Sequence, residues 1–346
     1  MMPDVLIIAT SQKTRGGITS VVKAHQLGTQ WKEHNCKWIE THIDTGVIMA
    51  LWYLFCGYLK FLCLLPFAKV IHIHLSEPSS AKRKLLFFVP AYLFGKKTIA
   101  HFHSFSPDTT INGGSRWIYK YIFSRATKVI VLSNSWKEAV NKAFNLKNIE
   151  VVYNPCSSVV SNKKYQKQNH ILYAGTINAR KGYSDMIRAF AKIADNHKEW
   201  KIVFAGNGEI ENGKRLAEKL GIQKQCVFLG WVNGEQKDKA FKEASIFCLP
   251  SYAEGFPMAV LDAWAYSLPV ITTPVGGIPD VAKNEENMLV FEPGNTDKLA
   301  EYMHRLITDK ELNNKITEAS IDFAVNRFSI EEINKQIGDV YNELIK

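Results

Sequence analysis

Two carboxylates, Glu254 and Asp262, stand eight positions apart across the junction of a loop and a helix. The loop carries Glu254-Gly255-Phe256-Pro257, and the apolar run of residues 258–265 reads as the helix that follows. A helix N-terminus presents unpaired N–H groups and a partial positive charge, so it suits a phosphate. Gly255 lets the backbone come close to such a ligand. Pro257 suits the first turn, where its missing N–H costs nothing. One acid can then face a group beside the phosphates. The other, a little over one turn into the helix, can accept hydrogen bonds from a vicinal diol such as ribose. A strand ends at residues 246–249, another is expected at residues 269–272, and Gly276-Gly277 opens the next turn. Strand, loop, helix, strand is the unit of a parallel α/β sheet.

Other candidate groups lie at the ends of predicted strands. Residues 5–9 are a buried strand, and Gly16-Gly17 follows it at the start of a helix. Such a turn can bring N–H groups near an anion, although tight turns use Gly-Gly as often. His103 ends the strand at residues 98–103. Ligands of open α/β sheets bind at that edge, but a lone histidine there is more often structural. His72 and His74 share one face of the strand at residues 70–74, with no cysteine or carboxylate at helpful spacing for a metal. Residues 175–182 (GTINARKG) place Arg180 and Lys181 between two glycines after a further strand.

The stretch at residues 249–280 resembles the signature of the retaining glycosyltransferases of family 4, the glycosyl transferases group 1 of GT-B fold. The family pattern is Glu, Gly, Phe and a second Glu eight positions after the first. Glu254-Gly255-Phe256 match, and Asp262 stands in the second Glu position with one methylene less of reach. Pro257 stands where glycine is frequent, and Thr176 replaces the usual Arg after Gly175, with Arg180 as a partial substitute. The resemblance implies an α/β, GT-B architecture: two Rossmann-like domains with parallel sheets facing an interdomain cleft. It places an acceptor-binding domain at residues 1–160 and a nucleotide-sugar-binding domain at residues 161–328. The last helix, residues 329–346, would pack back onto the first domain.

The resemblance also implies the chemistry. A sugar would pass from a UDP- or GDP-sugar to a hydroxyl of a lipid-linked or saccharide acceptor, as in surface polysaccharide or lipopolysaccharide biosynthesis. His103 and Glu254 would orient the donor sugar. Lys181 and Arg180 would hold the diphosphate, which gains negative charge as the glycosidic bond breaks. Gly16 and Gly17 would lie beside the donor phosphates, main-chain groups near Val232 would read a base edge, and Gly255, Phe256 and Asp262 would complete the donor site. The nucleotide sugar is a co-substrate; no further cofactor and no metal is implied, and the sequence has no Asp-x-Asp motif. Two rivals remain: another reaction on the same fold, such as a sugar-nucleotide epimerase, and a non-catalytic membrane-binding module, which Thr176, Pro257 and Asp262 favour.

Charge points to the acceptor side. Residues 1–165 carry 21 Lys and Arg against 8 Asp and Glu (+13), whereas residues 166–346 carry 22 against 25 (−3). A basic first half suggests an anionic partner. A membrane surface fits; nucleic acid does not, because no recognition motif accompanies the charge. Residues 47–68 form the most apolar segment, with Lys60 as their only charge. Spanning a bilayer would separate the strands on either side of it. Two readings follow: a buried crossover helix, which is preferred, or a helix in the membrane interface, with Lys82-Arg83-Lys84 and Lys96-Lys97 meeting anionic lipid. The six scattered cysteines read as buried free thiols in a reducing compartment. The start of the sequence is too short and acidic for a signal peptide. A cytoplasmic protein is expected, peripheral on the inner face of the plasma membrane.

Overall fold

The computed structural model describes residues 2–14, 16–157, 159 and 166–346. Arg15 and most of the polar stretch expected as a linker lie outside the described residues. The chain divides into two compact units, Met1–Pro155 with Ile330–Lys346, and Cys156–Ser329. In chain order the first contains β1 (Val5–Ala9), α1 (Gly17–Gln26), α2 (Thr29–Glu33), β2 (Lys37–Glu40), α3 (Val47–Leu64), β3 (Val70–Leu75) and α4 (Pro78–Leu93). It continues with β4 (Lys97–Phe102), α5 (Pro107–Thr110), α6 (Arg116–Arg125), β5 (Lys128–Val131), α7 (Asn134–Phe144) and β6 (Ile149–Val151). The second contains β7 (His170–Ala174), α8 (Tyr183–Ala191), β8 (Lys201–Ala205), α9 (Ile210–Lys219), β9 (Cys226–Gly230), α10 (Gly234–Glu243) and β10 (Ile246–Leu249). There follow α11 (Met258–Ala265), β11 (Val270–Thr272), β12 (Leu289–Val290), α12 (Thr296–Thr308) and α13 (Lys310–Asp322). The last helix, α14 (Ile330–Ile345), returns to the first unit.

Each unit holds one six-stranded sheet among its described residues, ordered β2-β1-β3-β4-β5-β6 in the first and β12-β11-β10-β7-β8-β9 in the second. Every pairing is parallel. Parallel sheets are covered on both faces by their crossover helices, so their strands are apolar throughout. β1 is VLIIA and wholly buried, and β3, VIHIHL, is wholly buried even though it carries two histidines. In the second sheet the order of strands reverses between β7 and β10. Loops leaving the carboxyl ends of two strands that run outward from such a reversal part to opposite sides and leave a crevice, the usual ligand site of this topology.

α14 is amphipathic, and its apolar face completes the first core. Ile333, Ile337, Val340 and Tyr341 cluster with Val5, Ile7, Val70, Ile99 and Ile130. A buried polar hub sets the helix position. Asn334 accepts from Gln30 Nε2 at 2.8 Å and donates to the Ala24 carbonyl at 3.0 Å. Its Oδ1 also lies 2.8 Å from His25 Nδ1.

Three expectations are corrected here. α3 is not a buried crossover helix: only Gly57 and Phe61 of its 18 residues are buried. Gly57 explains the narrow contact, since a Cβ there would lie 2.1 Å from the Glu40 carbonyl oxygen. The rest of α3 projects outward, with Val47, Ile48, Leu51, Trp52 and Phe55 exposed. It also connects β2 and β3, which both pair with β1, so it does not span a bilayer. Cys56 and Cys63 ride on that exposed helix and are not buried thiols. Lys84 does not face outward either. Its helical position matches Ala81, Phe87, Phe88 and Ala91 on the buried face, where it donates to the Thr41 hydroxyl and burial lowers its pKa well below the usual lysine range.

Removing side-chain volume from α14 tests its place in the core. Ile337→Ala deletes a wholly buried side chain and is expected to lower stability by about 2–5 kcal/mol in urea denaturation. An unchanged midpoint would mean that α14 is dispensable to the unit.

Candidate functional site

The second unit gathers its chemistry where three loops leave carboxyl ends of its strands. The loop after β7 carries Gly175 to Gly182, the loop after β10 carries Pro250 to Pro257, and the loop after β11 carries Gly276-Gly277. They touch backbone to backbone. Gly182 adopts φ 68°, and a Cβ there would stand 1.9 Å from the Pro250 carbonyl oxygen. Gly276 adopts φ 62°, and its Cβ would stand 2.0 Å from the Gly255 oxygen and 2.5 Å from that of Glu254. The left-handed region is open to glycine at no steric cost, and the close approach leaves no room for a side chain. Backbone hydrogen bonds then tie the loops: Tyr252 N–H donates to the Arg180 carbonyl at 2.8 Å, and Gly277 N–H to that of Gly255 at 2.7 Å.

This packing brings Lys181 to Glu254. Lys181 Nζ lies 2.9 Å from Glu254 Oε1, and Ser251 Oγ donates to the same oxygen at 2.7 Å. Arg180 Nη1 is 4.0 Å from Glu254 Oε2 and donates to the Ala253 carbonyl at 2.5 Å. Lys181 and Glu254 are mostly buried, whereas the Arg180 side chain remains 53% exposed and available to an anion. Local turns position the cations: the Asn178 side chain accepts from Lys181 N–H at 3.0 Å and caps the short turn Ala179–Lys181. Gly175 keeps space for the lysine, since a Cβ on it would meet Lys181 Cδ at 3.3 Å.

Pro257 caps α11, which begins at Met258 as the sequence predicts. Asp262 follows one face inward and is buried, but its carboxylate is already engaged. Ser157 Oγ donates to Oδ1 at 2.5 Å, and Lys237 Nζ lies 2.7 Å from Oδ2. Phe256 is corrected as a donor contact: its ring is 2% exposed and packs 5.2 Å from Phe328 and 6.2 Å from Trp264. The apolar ring belongs to the core beneath α11. Val232 lies in the loop between β9 and α10, beside the exposed Trp231.

Ser157, Lys237, Ser251 and Tyr252 were not singled out from sequence. Ser251 and Tyr252 sit inside the signature loop and were open to recognition as hydroxyl partners for its acids. Tyr252 donates to Asp185 Oδ2 at 2.8 Å, which fastens the loop to α8. Ser157 and Lys237 carry no local signal, being 105 and 25 positions from Asp262.

The first unit holds the other candidates. Gly16 is the N-cap of α1, and Gly17 begins it; a Cβ on Gly16 would meet nothing within 4 Å. His103 follows β4 immediately, partly exposed, and its N–H donates to the Leu75 carbonyl at 2.9 Å. Its Nε2 lies 2.8 Å from His74 Nδ1. Burial, with His25 nearby, holds its pKa down at about 3, so the ring is neutral at physiological pH. A neutral imidazole can donate from one nitrogen and accept at the other.

The glycine contacts make a direct test. Gly276→Ala forces a methyl into backbone atoms at positive φ, a strain on the order of 1–3 kcal/mol before any clash. Reduced thermal stability together with loss of anion binding by the second unit is expected. A variant as stable as the parent would show that the loops pack differently.

Residues 158–323 match the family model described as Glycosyl transferases group 1. An uncharacterized glycosyltransferase of Methanocaldococcus jannaschii is 31% identical over 232 residues, 62% of this chain and 59% of that protein. The capsular polysaccharide biosynthesis glycosyltransferase CapM of Staphylococcus aureus is 26% identical over 238 residues, 64% of this chain and 63% of its own length. The chain thus spans about three-fifths of the length of these two relatives. Anabaena HepE in complex with UDP has a TM-score of 0.78 at 16% identity, covering 98% of this chain and 100% of that one. The same protein in complex with UDP-glucose gives 0.76 at 16% identity, over 98% and 99%. Likeness at that identity speaks for the fold, and the two parallel six-stranded sheets agree with it. The second unit thus matches the glycosyl transferases group 1 family model, and the chain has the GT-B fold of these structural neighbours.

Proposed function

We propose that the chain transfers a sugar from a nucleoside diphosphate sugar, UDP- or GDP-linked, to a hydroxyl of a lipid-linked or saccharide acceptor. The transfer retains anomeric configuration and serves surface polysaccharide or lipopolysaccharide assembly. The observation that carries this reading is the Lys181–Glu254 pair at the carboxyl edge of the second sheet, 2.9 Å apart and flanked by Arg180. The UDP and UDP-glucose complexes of HepE and the capsular role of CapM support the same donor and product classes.

In this reading Lys181 and Arg180 meet the negative charge that develops on the departing diphosphate. Glu254 holds Lys181 in place before the donor arrives and then faces the sugar. A carboxylate has about four acceptor sites; Ser157 and Lys237 occupy part of those on Asp262, which leaves capacity for a ribose diol. N–H groups at the start of α11 meet phosphate oxygens, and main-chain groups near Val232 meet the base. Gly16, Gly17 and His103 are assigned to the donor phosphates and sugar. The sugar C1–O bond to phosphate breaks and the acceptor oxygen bonds to C1 on the same face. The acceptor's proton passes to the departing phosphate oxygen. No side chain serves as a covalent nucleophile, and the donor is the only co-substrate required.

The acceptor side is assigned to an anionic membrane surface on the cytoplasmic face. α3 exposes Leu51, Trp52, Phe55 and Leu59, and α4 and its C-terminal turn expose Leu86, Leu93 and Phe94. Lys60, Lys82 and Lys97 are exposed in the same segments. Apolar side chains with basic neighbours are the composition of an interfacial helix.

Thermal stability in UDP, GDP, ADP and CDP tests the donor. A ligand at about 100 times its Kd stabilises by roughly 2.7 kcal/mol, and Lys181→Ala is expected to remove the shift. Glu254→Gln is expected to lower kcat by about 10²–10³; nucleotide binding without any turnover in the parent chain would favour the non-catalytic module instead. For the membrane, sedimentation with phosphatidylglycerol vesicles at low salt should capture the chain, and Trp52→Glu with Phe55→Glu should release it. Equal sedimentation of parent and variant would remove α3 from the membrane.

A further inference from the structure

The first unit contains three buried imidazoles to which the transfer reaction gives no role, beside His103, which is assigned to the donor sugar. β3 carries His72 and His74, and β4 carries His101 with His103 directly after it. Parallel pairing sets His74 opposite His101. Alternation along each strand then turns the four side chains to the same face. His72 stacks on His74 and on His101, with centroids 4.4 Å and 5.3 Å apart, and the tilted rings of His74 and His101 lie 4.9 Å apart. His72, His74 and His101 are at most 1% exposed.

We propose that His72, His74 and His101 form a binding site for one borderline divalent transition-metal ion, zinc in the first place. One nitrogen from each of the three lies within 4.8 Å of the others. The nearest two, His72 Nε2 and His101 Nδ1, are 3.2 Å apart. Zinc–imidazole bonds of about 2.0–2.1 Å in a tetrahedron set the ligand nitrogens about 3.4 Å apart, so this pair already spans one edge. The outer nitrogens are held as metal-bound imidazoles usually are. His72 Nδ1 is 2.7 Å from the Tyr341 hydroxyl, and His74 Nδ1 is 2.8 Å from His103 Nε2. His72 and His74 therefore both offer Nε2.

A second observation points to a ligand. His74 Nε2, the atom this ring offers to the ion, is buried without a hydrogen-bond partner. His25 lies with its ring 6.2 Å and 6.3 Å from those of His74 and His101. A bare buried nitrogen is costly unless something fills it. An all-imidazole set without thiolate or carboxylate selects zinc, cobalt, nickel or copper over magnesium, calcium or manganese. The ion would fasten β3 to β4 and, through Tyr341, to α14. Its three ligands belong to the first unit and its test reads metal content, so it stands or falls on a readout other than transfer.

The test uses the untagged full chain, stripped with chelator and dialysed against zinc or cobalt. About one ion per chain by elemental analysis is expected. The cobalt form should show the intense visible bands of a tetrahedral site, bleached by zinc and absent with magnesium. His72→Gln/His101→Gln should lose the ion while still melting cooperatively. A separate imidazole pair, His197 and His304 at 2.9 Å in the second unit, supplies the control; His304→Gln should leave binding unchanged. Substoichiometric metal in the parent chain overturns the proposal and leaves a stack of neutral imidazoles. Binding that survives the double substitution, or that disappears in His304→Gln, overturns it as well.

Discussion

The contact on which the second unit's chemistry depends is between backbones. Gly182 sits so close to the Pro250 carbonyl, and Gly276 so close to the Gly255 carbonyl, that neither position accepts a Cβ. Those approaches bring the loops after β7, β10 and β11 together at one edge of a parallel sheet. Lys181 and Glu254, 73 positions apart, are then forced into a 2.9 Å pair in a mostly buried setting. A buried ion pair of this kind gains little stability over apolar packing. Its use is positional: the carboxylate fixes an ammonium that would otherwise sample many rotamers, and the site is formed before any ligand arrives.

The first unit depends on a different device. Its sheet is completed by a helix from the far end of the chain, and a single buried amide, Asn334, satisfies groups on α1 and α2 at once. Apolar packing by Ile333 and Ile337 supplies the burial, and the amide sets the register. The imidazole stack lies against the same helix, through the Tyr341 hydroxyl.

The outward face of α3 follows from one glycine. Gly57 lets the helix touch the end of β2, and the residues on either side diverge from the sheet. A crossover helix of ordinary composition would turn a polar face outward at that point. This one exposes Trp52 and Phe55, beside lysines that account for part of the first half's positive charge. Hydrophobic exposure on that scale is a marker of an interaction surface.

Much was legible in the sequence, and the reasons are local. Continuous apolar runs announced the parallel strands, and α11 and α14 begin and end where proline, loop residues and apolar periodicity placed them. The Glu254-Gly255 turn, the Arg180-Lys181-Gly182 turn and the spacing to Asp262 were legible as candidates because each is written in a few adjacent residues. Tertiary structure decided what lies between distant segments. Composition alone described α3 as apolar but not which side of it was covered, because burial depends on the neighbours that a helix meets. Phe256 read as a ligand contact from its place in the motif, yet its ring turns into the core. Lys84 read as a surface charge from its neighbours, yet its helical face is the buried one. The partners of Asp262, and the meeting of His74 with His101, arise from strand register and loop packing. Those are set by the free energy of the whole core, and no stretch of adjacent residues encodes them.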